Sequence, residues 1–118
     1  MNLFKKSTSR DIPTFKNLYT ADQFLHDLSG MDSIISRNVE VAQFDGEPVK
    51  IRTHFINFKD RKSKPYFVLV HGFGAAGSLY FTMWKALSEV FCVIAIDVIG
   101  MGSSSRPADL DFKKVEDP

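Results

Sequence analysis

The sequence predicts an α/β fold built on two parallel strands joined by a crossover helix. Three observations carry this expectation. Tyr66 to Val70 (YFVLV) and Phe91 to Ile96 (FCVIAI) are short β-branched and aromatic runs, near-continuously apolar like strands buried on both faces. Between them Leu79, Met83, Leu87 and Val90 recur at helical spacing, with Tyr80 and Trp84 beside them and Ser78 at the N-cap position. Each apolar run stops at a glycine turn, Gly72 to Gly77 after the first and Asp97 to Ser103 after the second. Strand, helix and strand in this order make a βαβ unit whose crossover is expected to be right-handed. Backbone N–H groups at the C-terminal end of such a strand, facing a helix N-terminus, form a ready site for negative charge.

The rest of the chain is arranged ahead of this unit. Residues 1 to about 20 are polar with scattered aromatics, and Pro13 breaks any helix there, so a loosely held extension is expected. Thr20 is placed to cap a short helix, Ala21 to Ser29, with Phe24, Leu25 and Leu28 on one side and Gly30 as its stop. Val39 to Phe44 and Val49 to Phe58 read as an antiparallel pair joined through the turn dipeptide Asp45-Gly46. In the second strand Val49, Ile51 and Phe55 alternate with Lys50, Arg52 and His54, which predicts one dry face and one wet face, with His54 solvated. The charged run Lys59 to Lys64, closed by Pro65, reads as a solvated loop. The resulting division is 1–33, an extension with a short helix, and 34–118, the βαβ-bearing part. After Pro107 the tail mixes acidic and basic residues without a closing element.

Composition excludes several classes of function. At 118 residues the chain has room for one domain, and its 44% hydrophobic and 25% charged content is that of an ordinary globular chain. Fifteen basic residues against fourteen acidic ones leave a net charge of +1, so no broad field recruits nucleic acid. The single cysteine, Cys92, excludes an internal disulfide framework and sits in an apolar strand as a small buried hydrophobe. No apolar run is long enough to cross a bilayer, and the N-terminus has no apolar core of a secretory signal. A reducing, intracellular location is expected, cytoplasmic or associated with a mitochondrial membrane.

Two chemistries share the first glycine turn. Gly72-Phe73-Gly74-Ala75-Ala76-Gly77 is a literal G-x-G-x-x-G that follows a strand and opens a helix, and Asp97 lies twenty residues beyond Gly77. Those are the conditions of a dinucleotide-binding module, with pyrophosphate on the helix N-terminus and a ribose hydroxyl on the acid. Three features weigh against it. An imidazole directly before the turn gains a dinucleotide loop nothing. A ribose-binding acid needs no second glycine turn behind it. A mononucleotide-binding unit also normally opens with the strand that carries its glycines, whereas here a strand pair precedes it.

From Tyr66 to Pro107 the sequence resembles the α/β-hydrolase fold. His71-Gly72-Phe73-Gly74 is similar to the family's H-G-x-G oxyanion loop after the third strand, and Asp97 to Ser104, with Gly100, Gly102 and Ser103 inside it, to its D-x-x-G-x-G-x-S turn after the fourth. The continuation Ser104-Ser105-Arg106-Pro107 resembles the branch holding lysophospholipases, lysophosphatidic acid acyltransferases and the lipid-droplet co-activator of triglyceride lipase. The resemblance implies a lipid or acyl-ester substrate, a possible membrane or lipid-droplet surface as partner, and no cofactor or metal. It places one oxyanion donor on the Phe73 N–H. Gly72 and Gly74 then supply turn geometry, and His71 braces the loop rather than serving as base. Asp97 accepts backbone N–H bonds and, with Gly100, Gly102 and Ser103, holds the two turns together. Ser103, Ser104 and Ser105 cap the next turn. The family's nucleophile elbow, acid and C-terminal histidine find no counterpart in this sequence, and a whole hydrolase core needs well over twice this length. The expectation is therefore the N-terminal half of the fold, with the third strand unpaired on one side and the missing C-terminal half as its natural partner, or else a non-catalytic co-activator piece.

Overall fold

A computed structural model describes residues 16–107. The polar extension around Pro13 and the charged tail after Pro107 lie outside the described residues. Helix α1 (Leu18–Leu28) is followed by strands β1 (Ile34–Phe44) and β2 (Glu47–Ile56), then β3 (Tyr66–Val70), α2 (Phe81–Ser88) and β4 (Cys92–Ile96). The strands form one sheet in the order β1-β2-β4-β3. β1 and β2 are antiparallel, and β4 is antiparallel to β2 but parallel to β3, with Ile94 opposite Phe55 on one side and Val68 on the other. The sheet order leaves β3 outermost, as the resemblance implied.

The hairpin turn falls on Asp45-Gly46, both at positive φ (47° and 80°). This is the conformation that matches the twist of two paired strands, and few residues other than glycine, asparagine and aspartate tolerate it. β1 starts five residues before the expected Val39, whereas β2 is shifted two residues toward the turn, from Glu47 to Ile56 rather than from Val49 to Phe58, and pairing runs from Ile34↔Ile56 to Phe44↔Glu47.

Helix α1 starts three residues earlier than expected. Its N-cap is Asn17, not Thr20: the Asn17 side chain accepts the Thr20 N–H at 3.0 Å, and the Thr20 hydroxyl answers the Asn17 N–H. Thr20 is the third helical residue of a capping box, a role that a local scan mistakes for the cap itself. Ser78 is likewise not a helix cap. A tight 3-10 turn, Gly77–Tyr80, precedes α2, and the Ser78 hydroxyl donates instead to Asp22 Oδ1 at 2.6 Å. Because a 3-10 turn advances 120° per residue, Leu79 falls out of phase with the α-helical stripe. Leu79, Met83 and Val90 are exposed, and Trp84 and Ser88 are the buried residues of α2.

The faces of β2 also depart from the alternation. His54 is fully buried and Arg52 nearly so, on the face expected to be wet. Together with Ser36, Ile56, Val93 and Ala95 they lie under α1 and α2, whose Asp22, His26 and Trp84 meet them. Alternation shows that two faces differ but not which one a helix covers, and a helix carrying its own polar groups can cover a polar face. The core proper is Ile56, Trp84, Val93 and Ala95, joined by Met31, Ile34, Leu69, Phe81, Leu87 and Phe91. β3 is not buried on both faces: Tyr66, Val68 and Val70 are exposed on the side away from the helices.

Candidate active-site loop at the end of the parallel strands

Both glycine turns stand at the C-terminal ends of the parallel strands β3 and β4. His71, the first residue past β3, is buried and uses both ring nitrogens. The Val98 N–H donates to Nε2 at 2.8 Å, so the ring proton sits on Nδ1 and is donated to the Gly72 carbonyl at 2.7 Å. The ring thus ties the loop after β3 to the turn after β4, and neither nitrogen is left to take a proton from a substrate.

Beyond it the loop turns outward. The Gly72 carbonyl accepts the Ala75 N–H, Gly74 adopts φ +72°, and Phe73 at the tip is 98% exposed. The Phe73 N–H donates to no acceptor among the described residues. A fixed, unpaired N–H at the head of a parallel strand is what stabilises a developing negative charge without reorganisation.

Asp97, 1% exposed, ends β4 and joins the two turns. Its Oδ1 accepts the Gly77 N–H at 2.7 Å and its Oδ2 accepts the Ser103 N–H at 2.9 Å. The second turn closes on itself through the Met101 N–H to the Val98 carbonyl and the Gly100 N–H to the Ser105 carbonyl. Gly100 and Gly102 both hold positive φ, and a Cβ on Gly102 would collide with the Asp97 carboxylate. Asp97 is thus 1% exposed with each oxygen bound to a backbone N–H of the two turns, a structural use that the dinucleotide reading gives it no reason to have.

Within the described residues, the Ser104 and Ser105 hydroxyls bond backward in the chain. Ser104 Oγ donates to the Asp97 carbonyl at 2.6 Å and accepts the Arg52 N–H at 2.8 Å. Ser105 Oγ accepts the Lys50 N–H at 2.8 Å. They serve the backbone of β2 on the side opposite β1, past the end of β4.

Sequence reasoning missed a buried polar cluster beneath α1. Asp22 Oδ2 lies 3.8 Å from both Arg52 Nε and His54 Nε2, and Ser36 Oγ is 2.7 Å from His54 Nδ1. Burial, opposed by the Asp22 charge, pushes the His54 imidazole down to about 4, and burial lowers that of His26 as well. His54 is therefore neutral at pH 7. Only the long-range pairing of α1 with β2 assembles this cluster, so no local signal announces it. Among the described residues no group of three or more His, Cys, Asp or Glu side chains gathers to hold a metal ion.

A parallel βαβ unit with an exposed N–H loop after β3 and an acid-stitched glycine turn after β4 defines an α/β fold with its candidate site at the strand ends. Residues 65–117 match the family described as the alpha/beta hydrolase fold, and the segment has that fold. Over 71 residues, 60% of the chain, it is 42% identical to a probable 1-acylglycerol-3-phosphate O-acyltransferase of Oryza sativa subsp. japonica, and it matches 16% of that protein. Over 52 residues, 44% of the chain, it is 44% identical to a 1-acylglycerol-3-phosphate O-acyltransferase of Arabidopsis thaliana, matching 12% of it. The chain thus covers less than a fifth of either relative. Among solved structures it is similar to a bacterial membrane phospholipase A, with TM-score 0.57 and 27% identity over 76% of this chain and 26% of that one. The Cif epoxide hydrolase of Acinetobacter nosocomialis, at TM-score 0.52 and 16% identity over 86% of this chain and 32% of that one, shares the fold.

Proposed function

We propose that the chain is the N-terminal part of a lipid-acting α/β-hydrolase and supplies one arm of its oxyanion hole for acyl hydrolysis or acyl transfer on lysophospholipid or glycerolipid substrates. The unpaired Phe73 N–H, held by His71 on one side and by the Asp97-linked turns on the other, carries this reading. The acyltransferase and phospholipase relatives support the lipid class. The 118 residues alone hold no G-x-S-x-G nucleophile, and an oxyanion donor without a nucleophile forms no acyl-enzyme. The chain by itself therefore turns over no ester.

The test compares two products of the same reading frame, the 118-residue chain and the frame extended past Pro118, on lysophosphatidate with acyl-CoA and on a chromogenic ester. Only the extended product is active. In it Phe73→Ala, which keeps the N–H, retains turnover, whereas Phe73→Pro, which removes it, loses about 10²–10³-fold, the typical cost of one oxyanion donor. Equal activity of the two variants, or serine-dependent turnover by the 118-residue chain, refutes the proposal.

A further inference from the structure

A groove of about 330 Å³ opens directly behind the oxyanion loop, between α1 and the two glycine turns. Its apolar wall is made by Leu18 and Leu25, one heptad apart on α1, and by Leu79 from the 3-10 turn; Gly74 and Ala75 form the side nearest Phe73. Leu18 and Leu79 are exposed, although nothing in the hairpin or the helices requires leucine there. Two carboxylates also line the groove, and both are committed. Asp97 serves two backbone N–H groups, and Asp22 accepts from Ser78 while facing Arg52 and His54. The remaining charge on the lining is Arg106. Its guanidinium is pinned at the mouth by donation to the Gly102 carbonyl at 2.9 Å and the Ser104 carbonyl at 3.2 Å. A guanidinium has five N–H donors, so three stay available.

An apolar trough with a single pre-oriented cation on its lining matches an amphiphile with one acyl chain and an anionic head. We infer that Leu18, Leu25, Leu79 and Arg106 form a binding site for such a molecule, a lysophosphatidate or a fatty-acid anion, with its head on Arg106. The volume falls within the range of small-molecule sites, and apolar walls with few convergent polar groups are their usual composition. The catalytic meaning of the site rests on the acyl-transfer reading of the neighbouring loop, but binding is measurable without turnover.

The experiment is a ¹⁵N NMR titration of the 118-residue chain below the critical micelle concentration. The probes are an oleoyl lysophosphatidate, oleate, neutral mono-oleoylglycerol and inorganic phosphate. Both anionic lipids shift the amides of Leu18, Leu25, Gly74, Leu79 and Arg106, and they bind about tenfold tighter than the neutral lipid, one charge-assisted contact's worth. Arg106→Gln brings the anions to the neutral level. Leu79→Ser, at an exposed position, weakens all three lipids alike. Stronger binding of lysophosphatidate than of oleate assigns the head to phosphate; the reverse assigns it to carboxylate. Equal affinity for neutral and anionic lipids, inorganic phosphate binding as tightly as the lipids, an Arg106→Gln variant with the parent's order, or no shifts in the groove each overturn the assignment. None of these results touches the Phe73 turnover test, so the two can fail separately.

Discussion

Asp97 and Gly102 interlock, and a double-mutant cycle measures how strongly. Gly102→Ala places a Cβ at φ +51°, a left-handed conformation that costs an L-residue about 1 kcal/mol. The same Cβ enters the space of the Asp97 carboxylate, which must swing away from the Gly77 and Ser103 N–H groups. Two hydrogen bonds to a charged partner, at about 1.5–3 kcal/mol each, add to the conformational cost, so the substitution costs about 4–7 kcal/mol in all. Asp97→Ala loses the same two bonds and costs a similar amount. With the carboxylate gone, however, the Gly102 Cβ meets no obstacle, and Gly102→Ala then adds only its conformational cost of about 1 kcal/mol. The coupling is therefore about 3–6 kcal/mol. Urea unfolding followed by the fluorescence of Trp84, the single tryptophan and fully buried, reads each variant. Asp97→Asn, which keeps one acceptor oxygen, provides a milder arm of the cycle. Costs that add to within about 0.5 kcal/mol would show that the two residues act independently and would refute the interlock.

Two further outcomes are expected. His54 titrates near 6.5 in the unfolded chain and at about 4 in the folded one, so above pH 6.5 both states are neutral and it adds no pH dependence. Between those values only the unfolded chain binds the proton, and stability falls as pH falls, by roughly 3 kcal/mol over the whole window. His26, lowered by burial too, acts in the same direction. A urea midpoint unchanged from pH 7 to pH 5, or the same slope in His54→Gln, would contradict the assignment. At the open edge of the sheet, Val68→Lys places a charge on an exposed position and blocks pairing between copies. Light scattering should show the parent associating with concentration and the variant remaining monomeric, with stability within about 0.5 kcal/mol. Equal association of the two would place the sticky surface elsewhere.

The βαβ unit and its two glycine turns were legible because their signals are local. An apolar run of strand length, a glycine needing positive φ and a carboxylate at a strand end each act over a few residues. The turn at Asp45-Gly46 was readable for the same reason. What stayed hidden was assembled at long range. His54 and Arg52 read as solvated because their alternation with Val49, Ile51 and Phe55 is a property of β2 alone, whereas their burial depends on Asp22 and His26 arriving from α1. Ser78 looked like a cap because serine before an apolar stripe usually is one, yet its hydroxyl was taken by a carboxylate 56 residues away in sequence. The outermost place of β3 could be read only through the family's strand order, and its exposed face not at all, since its own residues are those of a buried strand.

The strand order also has a consequence for synthesis. β3 leaves the ribosome before β4, yet among the described strands β4 is its single neighbour and sits between it and the finished hairpin. The hairpin can close by local contacts, but Tyr66–Val70 has nowhere to dock until the helix and the strand after it have emerged. During that interval an apolar segment hangs from a partly formed sheet, and slow non-local pairing of this kind is where nascent chains stall and aggregate. Chaperone demand should therefore concentrate on the window between the appearance of Val70 and that of Ile96.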